Sequence, residues 1–399
     1  MTAMLHVRRV LAAGPADLAT HAGRHGPLPW RGGPGLLIPT VEAAGLTGRG
    51  GAGFPTARKL AAVAAGRRSV VVGNGAEGEP ASGKDLALLT GNPHLVLDGL
   101  QLAAEAVGAA RGHLYAPAGA VPRLRAALAE RPGWDRVPVE LVEAPDTFVA
   151  GEESAVVARV EGHAALPRDT PRRVVEHGVR GAPTLVQNVE TLAHLALLAR
   201  YGPGWFREQG TADEPGTFLA TVSGAVAAPG VYEAPYGVPL GELLGQAGGP
   251  TAPLQAVLVG GYHGAWLRPD TALPVSRAGL RPYGASPGAG VLVALPTSAC
   301  GLVESARIAG YLAGQGAGQC GPCVNGLPRL ADTLDRLARR DTDPGLPAEA
   351  RRLSALVTNR GACHHPDGTA RLVLSSLSTF DHEVRLHLAG ACTAGRSAR

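Results

Sequence analysis

The stretches GLTGRGGAGFPTARKL at 45–60 and VVVGNGAEGEPASGKDL at 70–86 decide how this chain reads. The first sets Gly48, Gly50, Gly51 and Gly53 within six positions. Glycine reaches backbone angles that a Cβ forbids, so such a run can aim its amide N–H groups at one point and admit a ligand closely. Convergent N–H groups ahead of a helix suit a phosphate, and TARKL at 56–60 reads as the first turn of that helix. The second stretch follows the apolar run SVVV at 69–72, a buried strand by pattern. It carries Asn74, Glu77 and Glu79, with Lys84 and Asp85 just beyond.

Only two of the 37 lysines and arginines are lysines, Lys59 and Lys84, and both fall in these stretches. A compact ammonium does not interchange with a planar guanidinium where a phosphate must be met. The alternative is two surface lysines left by chance. The 399 residues suffice for two to four domains. A net charge of +4, with no basic run interleaved with aromatics, gives no argument for nucleic acid. Arg8 and Arg9 are followed by Pro15 and Asp17, which reads as no signal peptide. No apolar run reaches the ~20 residues of a membrane helix, so a soluble, cytoplasmic protein is expected. All 5 cysteines, Cys300, Cys320, Cys323, Cys363 and Cys392, lie in the last quarter. An odd count without a secretion signal favours metal or redox chemistry over a disulfide framework.

Beyond a lead-in to about residue 43, strands and helices alternate: a helix at 94–110, a strand at 112–117, a helix at 122–129 and a strand at 137–143. That alternation predicts an α/β domain. Glu152 and Glu153 begin a helix, where the dipole favours carboxylates and capping is the plainer reading. Gln187, Asn188, Glu190 and Thr191 form a polar group at another helix start. From Thr217 a hairpin around 228–230, a short helix at 240–247 and a strand at 256–261 predict a small β-grasp module over about 215–297. Apolar spacing then predicts four helices, at 302–313, 327–339, 347–358 and 369–388, joined as a bundle.

Together these motifs resemble the NADH-binding flavoprotein subunit of respiratory complex I and the diaphorase subunits of NAD-linked hydrogenases and formate dehydrogenases. The residues that carry the likeness are GRGGAGFPT at 48–56, NGAEGEP at 74–80, GEES at 151–154, QNVET at 187–191, CGPCVNGLP at 320–328, and Cys363. The resemblance implies an FMN-binding α/β domain at 1–214, a soluble-ligand-binding type β-grasp module at 215–297 and a helical bundle at 298–399 holding a 4Fe–4S cluster. In that family NADH gives a hydride to FMN, and electrons leave singly through the cluster. It further implies that Gly48, Arg49, Gly50, Gly51, Ala52, Gly53 and Phe54 line the dinucleotide and that Lys59 meets the flavin. Asn74 would bond the ribityl chain, with Glu77, Gly151 and Gln187 in the same cradle. Glu79 and Glu153 would stand near the nicotinamide as the catalytic pair, and Glu152 near the flavin. Asn188 and Thr191 would hold the FMN phosphate. The implied partner is a ferredoxin-like or thioredoxin-fold iron–sulfur subunit, and any membrane association would be peripheral, through the complex.

The sequence departs from the family in several places. Of the expected cluster ligands, Cys320, Cys323 and Cys363 are present, and Ala317 stands at the first position. A 4Fe–4S cluster takes four thiolates, so three leave a three-iron cluster, a foreign fourth ligand or no cluster. His364 and His365 are candidates for that ligand, and Cys300 or Cys392 are others. Ala76 replaces an aspartate, Phe148 a tyrosine, and Arg172 or Arg173 an adenine-stacking phenylalanine. An arginine there can pair with a 2′-phosphate, which opens NADPH beside NADH. Two functions follow: an NAD(P)H-oxidising flavoprotein, or a degenerate paralogue that keeps the fold for assembly or nucleotide binding without turnover.

Overall fold

The computed structural model describes residues 8–11, 17–169 and 172–394. Pro15 of the expected lead-in lies outside them. The chain divides into two compact units, one running to Ala220 and taking in Val231–Val238, the other made of Thr221–Gly230 and Pro239 onward.

The first unit contains helices α1 (Leu18–His25), α2 (Ile38–Ala44), α3 (Thr56–Ala64), α4 (Lys84–Gly91), α5 (Pro93–Val107), α6 (Val121–Ala129), α7 (Glu153–Val160) and α8 (Val189–Arg207). Its sheet holds β1 (Val70–Asn74), β2 (Gly112–Pro117), β3 (Val139–Ala144) and β4 (Thr184–Asn188) in the order β3-β2-β1-β4. Every pairing is parallel. β1 runs Val-Val-Val without alternation because helices cover both faces of a parallel sheet. α5 is buried nearly all round, and its Gly99 lets it meet α8 closely: a Cβ there would fall 1.9 Å from the Leu192 carbonyl oxygen. Asp98, wholly buried in the middle of α5, is ringed by donors. Arg131 lies at 2.7 Å, His21 at 2.8 Å, Trp134 Nε1 at 3.0 Å and Arg200 at 2.5 Å. Burial pushes its carboxyl up, but the His21 hydrogen bond and the two guanidinium groups hold it well below the usual range.

β5 (Thr217–Gly224) begins in the first unit, beside β6 (Gly230–Pro235), and its last residues pair in parallel with β9 (Val291–Pro296) in the second. There β7 (Leu254–Val259) pairs antiparallel with β9 and with β8 (Ala265–Leu267). Helices α9 (Leu240–Gln246) and α10 (Arg277–Leu280) accompany these strands. Then come α11 (Gly301–Gly314), α12 (Leu327–Ala338), α13 (Leu346–Val357), α14 (His365–Thr379) and α15 (Asp381–Leu388). The last expected helix is thus two, separated at Phe380. That ring is buried and stacks edge-on against Trp266, with centroids 5.4 Å apart. Anchoring the aromatic there turns the chain where its apolar spacing alone would continue one helix.

Candidate functional site

After β1 the chain builds β2 and β3 on one side and returns to place β4 on the other. Such a reversal leaves a crevice at the carboxyl ends of the two strands, where open parallel sheets take ligands. The end residues are Asn74 and Asn188, opposite each other in register. Asn188 caps α8 by accepting from the Glu190 N–H at 3.0 Å, and its amide donates to Asp85 at 2.8 Å. Asn74 donates to the Gly151 carbonyl at 3.0 Å and accepts from the Ala76 N–H at 3.1 Å. Gln187, one position before Asn188, is buried.

The glycine loop hangs over these ends from a closed neck. Gly48 N–H donates to the Phe54 carbonyl and Thr56 N–H to the Leu46 carbonyl, each at 2.9 Å. Arg49 N–H donates to Thr191 Oγ1 at 2.8 Å, which pins the loop to the first turn of α8. Gly51 at φ +105° and Gly53 at φ +63° take conformations that a side chain disfavours. Residues 49–52 form a tight turn, and no hydrogen bond of ordinary length and angle engages the N–H groups of Gly50, Gly51, Ala52 and Gly53 among the described residues. The Thr56 hydroxyl, at the start of α3, is buried and unsatisfied. Open amides on a fixed loop above an α-helix form the donor set an FMN phosphate and ribityl chain require, so the residues present fit this cofactor.

Several side chains expected at the ligand turn elsewhere. The Arg49 guanidinium is buried and donates to the Thr217, Pro215 and Thr47 carbonyls at 3.0, 3.2 and 3.1 Å, so it shapes the loop from behind. Glu77 accepts from the Asp85 and Leu86 N–H groups at 3.0 Å each and from Ser82 at 2.5 Å, which caps α4. Glu152 caps α7 through the Ser154 and Ala155 N–H groups at 2.9 and 3.1 Å. Glu79 accepts from the Ala81 N–H at 3.3 Å. Phe54 is half-exposed at the neck of the loop, and Arg172 and Arg173 are exposed.

The two lysines are both paired. Lys59 Nζ lies 2.5 Å from Glu153 Oε1 and 2.7 Å from the Val186 carbonyl, in the middle of β4. Lys84 is buried between Asp85 at 2.7 Å and Glu190 at 3.0 Å. Burial raises Glu190, but Lys84, His194 and Arg49 together outweigh it and hold the group at about 2. Burial, with the charges of Glu77 and then Glu190 added, pushes Asp85 up to about 7 despite Lys84. This buried triad beneath Asn188 is not legible as a unit in the sequence. Its only signal is that Lys84 and Glu190 border the two motifs whose ends meet.

In the second unit, Cys320 and Cys323 lie on the turn before α12, and Cys363 precedes α14. The Cys323 thiol is hydrogen-bonded to Cys320 and feels the charge of Cys363. Burial opposes ionisation of Cys320, but the Cys323 and Ala362 N–H groups point at its sulfur and carry its pKa below the ordinary value. Burial, with Cys320 beside it, pushes Cys323 up to about 11. Ala317 contributes no ligand atom. His365 cannot replace it: Nδ1 faces His263 Nε2 at 3.1 Å and Nε2 the Leu312 carbonyl at 2.8 Å. His364 points outward, to Asp367 at 3.0 Å. Cys300 is excluded by distance. It caps the start of α11, whose 14 residues span roughly 21 Å, whereas Gly316 beyond the other end abuts the Cys323 sulfur. The residues present therefore supply three thiolates and do not fit a cluster held by four.

Residues 41–197 match the Nuo51 FMN-binding domain, 219–261 the SLBB domain, and 298–387 the NADH-ubiquinone oxidoreductase-F iron–sulfur binding region. Fold and site define an FMN-dependent flavoprotein of the NAD(P)H-oxidising class that serves iron–sulfur centres. The chain belongs to the family that comprises the F subunits of NADH-quinone oxidoreductases and their hydrogenase counterparts. It is 31% identical over 377 residues to the second F subunit of the NADH-quinone oxidoreductases of Rhizobium meliloti, covering 89% of each chain. It is 29% identical to HndC, a component of the NADP-reducing hydrogenase of Solidesulfovibrio fructosivorans, over 90% of this chain and 79% of that one. Among solved structures, an NAD+-reducing NiFe hydrogenase in the air-oxidised state aligns with a TM-score of 0.83 at 32% identity. That alignment covers 88% of this chain and 62% of the hydrogenase chain, less than two thirds of it.

Proposed function

We propose that this chain oxidises NADH or NADPH at an FMN held over the carboxyl ends of β1 and β4, and acts as one subunit of a larger electron-transfer assembly. The observation that carries this reading is the in-register pair Asn74 and Asn188 at the chain reversal, with the glycine loop pinned above it by Arg49 N–H and Thr191. The open amides of Gly50–Gly53, with Asn188 and Thr191, receive the phosphate, and Asn74 the ribityl hydroxyls. Lys59 reaches the flavin edge and, through its 2.5 Å contact, fixes Glu153. Glu79 and Glu153 orient the nicotinamide half. When bound, FMN supplies the conversion between a two-electron donor and one-electron acceptors.

The domain limits 1–214, 215–297 and 298–399, with a β-grasp module and a helical bundle, belong to the same proposal. Its support is the SLBB match at 219–261 and the run of helices α11 to α15. The partner we infer is a ferredoxin-like or thioredoxin-fold iron–sulfur protein. No helix among the described residues is long and apolar enough to cross a membrane. The location we infer is cytoplasmic, peripheral to a membrane only through the complex.

Purified full-length protein should be yellow and reduce ferricyanide with NADH or NADPH. Glu79→Gln and Glu153→Gln should each lower turnover or nicotinamide affinity while flavin content stays unchanged. Unchanged kinetics in both variants would show that these carboxylates only cap and brace. The second reading, a non-catalytic assembly or nucleotide-binding paralogue, draws on the three-thiolate site. Colourless protein without FMN affinity would establish it.

A further inference from the structure

At the other end of α11 and α12 from the three clustered cysteines lies a second set of metal-binding side chains. Cys300 caps the start of α11, Glu383 and His387 lie one turn apart on α15, and Cys392 follows in the tail beyond Gly390. One ligand atom from each, two sulfurs, one nitrogen and one carboxylate oxygen, lies within 4.8 Å of all the others. Cys300, Glu383 and His387 are buried. We propose that these four residues bind a zinc-type divalent cation in a closed, structural site separate from the three thiolates Cys320, Cys323 and Cys363.

Three observations point the same way. The donor set, two thiolates, one imidazole and one carboxylate, is the chemistry that borderline-soft zinc selects in four-coordinate sites. Bond lengths of about 2.3 Å to sulfur and 2.0–2.2 Å to nitrogen or oxygen put tetrahedral edges at roughly 3.4–3.6 Å for mixed ligand pairs. The Cys300 Sγ to His387 Nε2 separation is 3.4 Å, and that from His387 Nε2 to Glu383 Oε2 is 3.7 Å. These two pairs stand close to coordination spacing, and the other pairs of the set lie within 4.8 Å.

The supporting contacts are those of a held ligand. His387 Nδ1 lies 3.0 Å from the Leu337 carbonyl, near the end of α12. A carbonyl can only accept, so Nδ1 carries the proton and Nε2 turns its lone pair to the sulfur and the carboxylate. This is how ligand histidines are oriented in metal sites. Glu383 is oriented in turn by Thr393, whose N–H donates to Oε2 at 3.3 Å and whose hydroxyl donates to Oε1. With its proton on Nδ1, His387 brings no charge to Glu383, whose Oε2 lies 3.7 Å from Nε2. A buried carboxylate among two thiols and a neutral imidazole is costly, and a divalent cation removes that cost.

The site joins the start of α11, the face of α15 and the tail after it, and so ties residue 300 to residue 392. Binding is a ligand exchange without redox change: two cysteine S–H bonds break, two metal–sulfur bonds form, and both protons leave to solvent. His387 Nε2 and the Glu383 carboxylate donate lone pairs.

The test uses the full chain, purified reduced and anaerobically without chelator. Elemental analysis should find one zinc per chain beside any iron. After removal of zinc by a strong chelator, the unfolding midpoint should fall, and added cobalt(II) should give sulfur-to-cobalt charge-transfer absorption. Cys392→Ser and His387→Gln should each weaken zinc binding at least about tenfold, with flavin and iron unchanged. Cys323→Ser should lower iron and leave zinc in place. Because a ligand variant can fail to fold, the cobalt titration of the unmodified chain decides alone in that event. Absence of zinc and cobalt binding by the reduced protein would overturn the proposal, as would undiminished zinc in a Cys300→Ser, Cys392→Ser double variant. A Cys300–Cys392 disulfide in metal-free protein would replace it with a covalent link. A colourless protein that still binds zinc would sink the flavin reading and leave this one standing.

Discussion

Lys84 shows how one residue can hold the floor of a site it does not enter. It is buried between Asp85 and Glu190, and Asp85 in turn accepts from the Asn188 amide at 2.8 Å. Lys84→Met would leave two carboxylates buried without their counter-charge, which costs about 3–5 kcal/mol of stability. The sign with pH follows from the carboxyl groups. Glu190, held at about 2 against an ordinary 4.5, contributes stability that is present above about 4.5 and is lost as pH falls toward 2. Asp85, raised to about 7, acts in the opposite sense and costs stability as pH rises toward that value. Without Lys84 burial raises both groups, so the deficit should be largest near and above neutrality and should shrink as acid protonates them. Denaturant unfolding across pH measures this, and a deficit independent of pH would refute it. Lys59 stands at the rim, bonded to Glu153 and the Val186 carbonyl. Lys59→Ala should weaken FMN retention by about 1–3 kcal/mol, the worth of a charge-assisted hydrogen bond. Flavin titration of stripped protein would show it, and unchanged affinity would remove Lys59 from the site.

At the scale of elements, glycines separate packing from propensity. Gly99 sits where α5 meets α8, and a Cβ there would fall 1.9 Å from the Leu192 carbonyl oxygen. Gly99→Ala must push the helices apart and should destabilise by about 1–3 kcal/mol. Because α8 carries Thr191 at its first turn, flavin affinity should drop with it. Gly310, inside α11, has nothing within 4 Å of its Cβ position. Gly310→Ala should raise stability by about 0.5–1 kcal/mol, through lower chain entropy alone. Thermal unfolding of the two variants should therefore shift in opposite directions, and a common direction would contradict the packing described.

For the whole molecule, electron flow turns on what completes the three-thiolate centre. Cys320, Cys323 and Cys363 converge, Ala317 cannot ligate, and His365 is engaged with His263 and the Leu312 carbonyl. A centre assembled there should be of the three-iron kind or rely on an external ligand, and it should lose iron in air. Electron paramagnetic resonance of anaerobic protein, before and after oxidation, would register this. A stable four-iron signal, unchanged in the His364→Ala, His365→Ala double variant, would require a ligand from outside the chain.

Residue order alone was enough to reveal the glycine loop, the alternation of β1 to β3 with their helices, and the succession of the family's motifs. Each depends on residues adjacent along the chain, where backbone freedom and hydrophobic period act locally. Which charges face a ligand was settled by packing instead. Arg49, Glu77 and Glu152 read as cofactor contacts but turn to nearby backbone groups that would otherwise lack partners. Their side chains can reach either way, and the helix-start amides and loop carbonyls that need partners drew them inward. The break at Phe380 was likewise invisible, because the anchoring Trp266 lies more than a hundred positions earlier. The meeting of Cys300 with Glu383, His387 and Cys392 lay out of reach for the same reason: no local pattern links residues that helix packing alone brings together.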